Sequence, residues 1–266
     1  MNAESLFHFF PRKYLSVDNT LGILKSIFDN GLFLTKEIIP VHWRDYYGLN
    51  RSRRLKIEQY RFCLTAITNK EELLNHSEVF GHVGLEFDTG VITKLGGFPV
   101  FYVPSPGLDS EDIEEYKGIS LLYRIAEIQE LLEFVHSNKL LRSPDIDIEN
   151  MLGAIKTLSN ICYPTNRQPG PAGEKKNCYN QREWRIIYGL TPESVLVEKV
   201  QENFSIRSFH ALPIHTLIKK IVLCGSPGLD GNAISTLWEE VNTLVANYGL
   251  RIPVAILHRQ PDESQE

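Results

Sequence analysis

Leu217-Ile218-Lys219-Lys220-Ile221-Val222-Leu223-Cys224, the turn Gly225-Ser226-Pro227-Gly228, the helical stretch Ala233 to Tyr248 and the apolar run Ile252 to Leu257 read together as strand, turn, helix, strand. Short runs of Val, Ile and Leu suit buried strands, and the segment between them is long enough to be a crossover helix. That order predicts a parallel pair joined by a right-handed crossover. The turn follows a strand and precedes a helix, which superficially invites a phosphate-loop reading. It has neither GxGxxG nor a GK[ST] ending, and Pro227 favours an ordinary turn.

Toward the N-terminus, Leu6-Phe7-His8-Phe9-Phe10 reads as a short strand stopped by Pro11. Asp18-Asn19-Thr20 can cap a helix whose Leu21, Leu24, Ile27 and Phe28 recur at helical spacing, and Asn30-Gly31 closes it before an extended Leu32-Phe33-Leu34. Residues 42–60 read as a loop plus a short basic helix around Arg51-Ser52-Arg53-Arg54-Leu55-Lys56. Arg61 to Ile67 is strand-like, a capped helix follows from Asn69, and Gly81 to Phe87 alternates as a strand does. Gly97 to Pro104 predicts a further strand.

Between Ser110 and Asn138 apolar residues recur in a helical pattern too broad for one exposed face, so a well-covered helix is expected. Met151 to Ile161 continues as helix, and Tyr163 to Lys176, dense in Pro, Gly and charge, predicts a mobile surface loop leading into Tyr179 and Glu183. The expected fold is α/β in the α+β sense, with a mixed, twisted and split sheet. No boundary divides the chain, so one domain over 1–259 is expected, with a helical insertion at about 110–160 and a disordered tail at 260–266.

With 42% hydrophobic residues in 266, a sizeable core is available. The 28 Lys+Arg against 33 Asp+Glu leave a charge of -5, which gives no global attraction to nucleic acid or an anionic membrane. Cys63, Cys162, Cys178 and Cys224 form no CxxC pair, so reduced, mostly buried thiols are expected rather than a zinc ribbon or a disulfide framework. No metal is expected, because no acidic cluster has ligand spacing. The Met1 to Pro11 opening is not that of a signal peptide, and no stretch approaches the roughly 18 apolar residues that a membrane span needs. A cytoplasmic protein with no membrane partner is the expectation.

Chemistry concentrates in Gln181-Arg182-Glu183-Trp184-Arg185, directly before the apolar Ile186-Ile187. On a strand, Glu183 and Arg185 share one face while Arg182 and Trp184 share the other. A half-buried carboxylate there is either one member of a structural ion pair, with Arg185 or a distant base, or a ligand-contacting group. His8, between Phe7 and Phe9, is either a satisfied core histidine or a ribose-sized hydrogen-bonding group. Tyr102 could stack on a flat ring or simply pack. Cys63 and Thr65 alternate along the Arg61 to Ile67 strand, and nothing local marks Cys63 or Cys178 as a nucleophile. The Arg51, Arg53 and Arg54 cluster could touch phosphate or form a solvated face.

The series Leu6-Phe7-His8-Phe9, Asn30-Gly31-Leu32, Phe62-Cys63-Leu64-Thr65, Phe80-Gly81-His82-Val83-Gly84-Leu85, Phe98-Pro99-Val100-Phe101-Tyr102-Val103 and Tyr179 to Arg185 resembles the AbiGi-type abortive-infection proteins of bacterial phage defence. More distantly, a first strand bearing His followed by a helix closing on Gly-Leu is similar to the start of ADP-ribosyltransferases. That resemblance implies a split-sheet transferase fold with NAD as co-substrate, Glu183 as the catalytic carboxylate and His8, Tyr102 and Thr65 as NAD contacts. Beside these, Arg182, Trp184 and Arg185 are expected in support, and the basic cluster Arg51, Arg53 and Arg54 toward phosphate or a nucleic-acid or protein acceptor. Glu183 would stabilise the oxocarbenium-like transition state as nicotinamide leaves. The implied role is an antiviral toxin or effector with a cognate toxin–antitoxin partner; the alternative is a non-enzymatic antitoxin or phage-sensing binding protein.

Overall fold

The computed structural model describes residues 5–11, 16–44, 52–103, 121–140, 147–164, 182–188, 197–200, 208–213, 215–225 and 231–258. The first half of the chain runs β1 (Ser5–Phe10), α1 (Val17–Asn30), β2 (Leu32–Phe33), β3 (Thr35–Arg44), β4 (Ser52–Ile67), α2 (Lys70–Phe80), β5 (Val83–Asp88), α3 (Thr89–Lys94), β6 (Phe98–Pro99) and β7 (Phe101–Val103). The second half runs α4 (Leu121–Ser137), α5 (Ile148–Ile161), β8 (Cys162–Pro164), β9 (Glu183–Ile187), β10 (Val197–Val200), β11 (Ser208–Leu212), β12 (Lys220–Cys224), α6 (Gly231–Asn247) and β13 (Val254–Leu257). These elements group into two compact units, one of Met1–Leu34, Arg61–Phe98 and Arg182–Glu266, the other of Thr35–Tyr60 and Pro99–Gln181.

The first unit is built on a mixed sheet in the order β13-β12-β5-β1-β4-β9-β6. β12 and β13 run parallel through α6, as the terminal strand-helix-strand pattern requires, while β5, β1, β4 and β9 pair antiparallel. A sheet whose two faces are both covered needs apolar residues at successive positions, and this one has them. Leu6, Leu85, Phe87, Leu64, Ile186 and Leu223 are buried among the residues of one face. Phe7, Phe9, Ile67, Val222 and Cys224 meet Leu73 and Leu74 of α2 on the other.

The helices of this unit begin and end on local chemistry. Asn69 Oδ1 accepts the Glu72 N–H at 2.8 Å to start α2. For α1 the cap is Ser16, two residues before the expected Asp18, and Leu24, Ile27 and Phe28 are the apolar residues it buries. Both helices stop at glycines that no other residue could replace in place. Gly31 has φ +83 and a Cβ there would lie 2.3 Å from the Leu212 carbonyl oxygen; Gly81 has φ +128 and a Cβ would meet the Phe10 and Pro11 backbone at 2.4 Å. Each glycine therefore lets a helix end directly against a strand.

In the second unit β3 pairs with β4, β7 runs parallel to β8, and α4 packs on α5. Buried Gln59 donates from Nε2 to the Asn160 carbonyl at 3.0 Å. Two expectations need correction here. From Ser52 to Lys56 the basic cluster is no helix: β4 begins at Ser52. Leu55 and Ile57 alternate with Arg54, Lys56 and Glu58, and that period of two continues into the Arg61–Ile67 strand. Nor is α4 well covered among the described residues: Ile125, Ala126 and Leu132 are buried, while Leu131 and Phe134 stand 61% and 58% exposed. The packing of α4 on α5 covers one stripe, and the apolar pattern is wider than that.

The segment Gly97 to Pro104 is also divided, into β6 and β7. The loop expected over Tyr163 to Lys176 lies outside the described residues from 165 on, as does the tail from 259. No helix among the described residues is long and apolar enough to cross a membrane.

Candidate polar site on the β4–β9 ladder

Antiparallel register sets Thr65 opposite Glu183, Cys63 opposite Arg185 and Arg61 opposite Ile187. Directly opposed residues share a face, and alternate residues along each strand share it too. Arg61, Cys63, Thr65, Glu183 and Arg185 therefore project from the same side of the sheet, as does Phe7, which opposes Thr65 across β1.

Arg185 is fully buried and spends its fork on Glu183, with Nε 2.9 Å from Oε1 and Nη2 3.3 Å from Oε2. Arg61 Nη1 stands 3.9 Å from the same Oε1. Glu183 is thus flanked by two guanidiniums at 13% side-chain exposure. This is the ion-pair arrangement that the Glu-Trp-Arg spacing allows, and a carboxylate gripped at both oxygens is oriented by the protein itself. Its neighbour Cys63 is pushed up to about 12, first by burial and then by the Glu183 charge, against the opposing pull of Arg61 and Arg185. A thiol so held is no nucleophile at neutral pH.

Thr65 exchanges a hydrogen bond with His76 Nε2 of α2 at 3.2 Å. His76 in turn stacks on Phe80 at 4.3 Å and tilts against Phe9 at 5.2 Å. Just before β9, Arg182 has φ +40, in the left-handed region, and its carbonyl accepts the Ala66 N–H at 3.1 Å. Its guanidinium pairs with Glu72 on α2, which also accepts Thr68 N–H at 3.1 Å. Burial alone would lift the Glu72 carboxyl, but the bonds from Arg182 and Thr68 together hold it below its ordinary value.

His8 lies elsewhere. It follows Phe7 on β1, and successive strand residues point to opposite faces, so His8 and Glu183 leave the sheet on opposite sides. The β1–β4 ladder runs from Ser5↔Ile67 to Phe7↔Thr65, and where it ends His8 Nδ1 sits 2.9 Å from the Cys63 carbonyl oxygen. A carbonyl only accepts, so Nδ1 carries the proton there. The ring rests 4.4 Å from Phe62 and 6.2 Å from Phe10. Trp184, opposite Leu64, shares that second face.

Of the residues expected to gather around NAD, the fold brings Thr65 and Glu183 together and directs His8 away from them. Tyr102 lies on β7 of the second unit, opposite Tyr163. Arg53 and Arg54 lie on β4, and Arg51 lies outside the described residues. Arg61, Glu72 and His76 were not singled out by sequence reasoning. Arg61 could have been, because it stands two and four residues before Cys63 and Thr65 on one strand and so had to share their face. No cluster of three His, Cys, Asp or Glu side chains able to hold a metal occurs among the described residues. Set against known proteins, the chain matches no protein-family model, no curated protein and no solved structure.

Proposed function

We propose that this chain is a binding protein without transferase activity, acting as the antitoxin or phage-sensing component of a bacterial anti-phage system. The observation that carries the first part is the two-point grip of fully buried Arg185 on Glu183. Such a carboxylate is committed to a structural partner, and releasing it from the buried cation would cost several kcal/mol, on the order of 3–5. A pocket for one small molecule must also converge its polar groups, and the strand register turns His8 away from Glu183. The defence context rests on the resemblance to the AbiGi-type proteins.

The direct opposition of Thr65 and Glu183 favours a second reading, in which that face alone receives NAD and Glu183 serves an ADP-ribosyltransferase. One experiment separates the two. Purified chain is incubated with labelled NAD and, separately, RNA, DNA and cell protein. No transferred label is expected. Label that appears with the unaltered chain and disappears in a Glu183→Gln variant of unchanged circular dichroism would overturn the binding-protein reading and select the transferase.

A further inference from the structure

The large apolar side chains that stand exposed are not spread evenly over the chain. Of eleven among the described residues, six lie on α4 and α5: Leu121, Ile128, Leu131 and Phe134 on the first, Met151 and Leu158 on the second. On α4 they follow one another at steps of seven, three and three residues. At 3.6 residues per turn this makes one continuous row, about 20 Å long, that winds slightly round the helix. Ile125, Ala126 and Leu132 are buried, so the row is a second apolar surface beside the one already used in packing. On α5, Met151 and Leu158 are likewise seven residues apart and share a face. Contiguous exposed apolar surface of this kind marks a place where another molecule docks.

Two features of α4 select the occupant. A row of this length and period complements the apolar face of another helix of about 14 residues, whose own side chains recur at the same spacing. The charge beside the row is acidic. On α4, Glu127, Glu130 and Glu133 stand against Arg124 alone, one cation to three carboxylates, and Arg124 Nη1 is itself held by Glu127 Oε2 at 2.7 Å. On α5, Glu149 and Lys156 balance. Glu127 and Glu130 each sit one turn before an apolar residue of the row, Leu131 and Phe134. A second copy of this chain docking here would bring the same acids against them, and like charges across an interface oppose it. A basic helix meets them with opposite charge.

We infer that the exposed face of α4 is a docking surface for an amphipathic helix of a partner protein, apolar on one side and flanked by Lys or Arg. Leu131 and Phe134 are its anchors, because they are the most exposed of the row and have the most apolar area to bury on contact. The row lies on different elements from the Glu183 ladder, so docking here is independent of any chemistry at Glu183.

The test titrates the full chain with a designed helical peptide of about 14 residues, Leu at helical spacing on one face and Lys on its flanks, followed by calorimetry and amide exchange. Binding of one peptide per chain is expected, with exchange slowed along α4. Leu131→Gln with Phe134→Gln should weaken binding by about tenfold or more with circular dichroism unchanged. A peptide of the same composition in scrambled order, and one carrying Glu in place of Lys, should each bind about tenfold more weakly. If the double variant does not fold, exchange along α4 in the unaltered chain, with and without peptide, decides. No binding, equal binding of the scrambled or the Glu-flanked peptide, or undiminished binding by the folded double variant would each overturn the inference. A rise to twice the monomer mass on concentration, lost in the double variant, would overturn it in favour of a second copy.

Discussion

Exchanging Glu183 for Gln removes one charge from a pair whose other member, Arg185, has no exposure at all. Taking away one partner of a buried pair costs about 3–5 kcal/mol, because the remaining charge stays desolvated with its carboxylate gone. Glu183 retains 13% exposure and the Gln amide oxygen can still accept one bond, so the lower end, about 3 kcal/mol, is expected. With a urea dependence of about 2 kcal/mol/M, the unfolding midpoint should fall by about 1.5 M. The companion experiment replaces both members, Glu183→Leu with Arg185→Met. Apolar side chains of similar size fill the same space, and Arg61 at 14% exposure can turn to solvent, so the double variant should regain much of what Glu183→Leu alone loses, giving a large coupling energy in the cycle of Glu183→Leu, Arg185→Met and both. A loss under about 0.5 kcal/mol for Glu183→Gln is the size expected of an exposed pair, and it would refute the assignment of Glu183 as a buried structural group.

Two further outcomes follow from groups elsewhere in the first unit. Burial holds the His82 imidazole below its usual pKa, beside Thr20, so the folded state binds a proton less readily than the unfolded chain. Its contribution is therefore whole above the unfolded value of 6.5 and is lost as pH falls below it; urea midpoints should drop between pH 7.5 and 5.5, and His82→Gln should flatten that part of the profile. Midpoints of the unaltered chain that do not change over this interval would contradict it. For the thiols, Cys63 and Cys224 are pushed up to about 12 and about 11, mainly by burial, so both should resist a disulfide reagent at neutral pH in the folded chain and react once it is unfolded in denaturant. Rapid labelling of native Cys63, located by peptide mapping, would be incompatible with the site described.

Much of this fold is legible in the sequence because it is written in short-range chemistry. The parallel β12–β13 pair follows from two apolar runs around a helical one, and α1 and α2 are framed by capping side chains and by Gly31 and Gly81. The site is half legible for the same reason. Alternation along β9 alone pairs Glu183 with Arg185, which is where the structure joins them. Alternation cannot say which face of β9 matches which face of β1, since the two strands are related only through the β4 register, a long-range property. His8 and Glu183 were expected together for want of that relation. The Arg51 to Lys56 stretch misleads differently: its charges suggest a helix, but the weaker alternation of Leu55 and Ile57 prevails once β3 lies beside it.

Arg182 carries two demands that no other residue type meets at once. Its backbone, at φ +40, asks for glycine or asparagine, which would relieve about 1–2 kcal/mol. Its side chain, paired with Glu72, asks for a long cation that can reach α2. Glycine would forfeit the pair, and lysine would keep the charge while losing the planar fork. Substitution at this position is consequently caught between two penalties, so the residue that sets the entry of β9 is fixed from its backbone and its side chain at once.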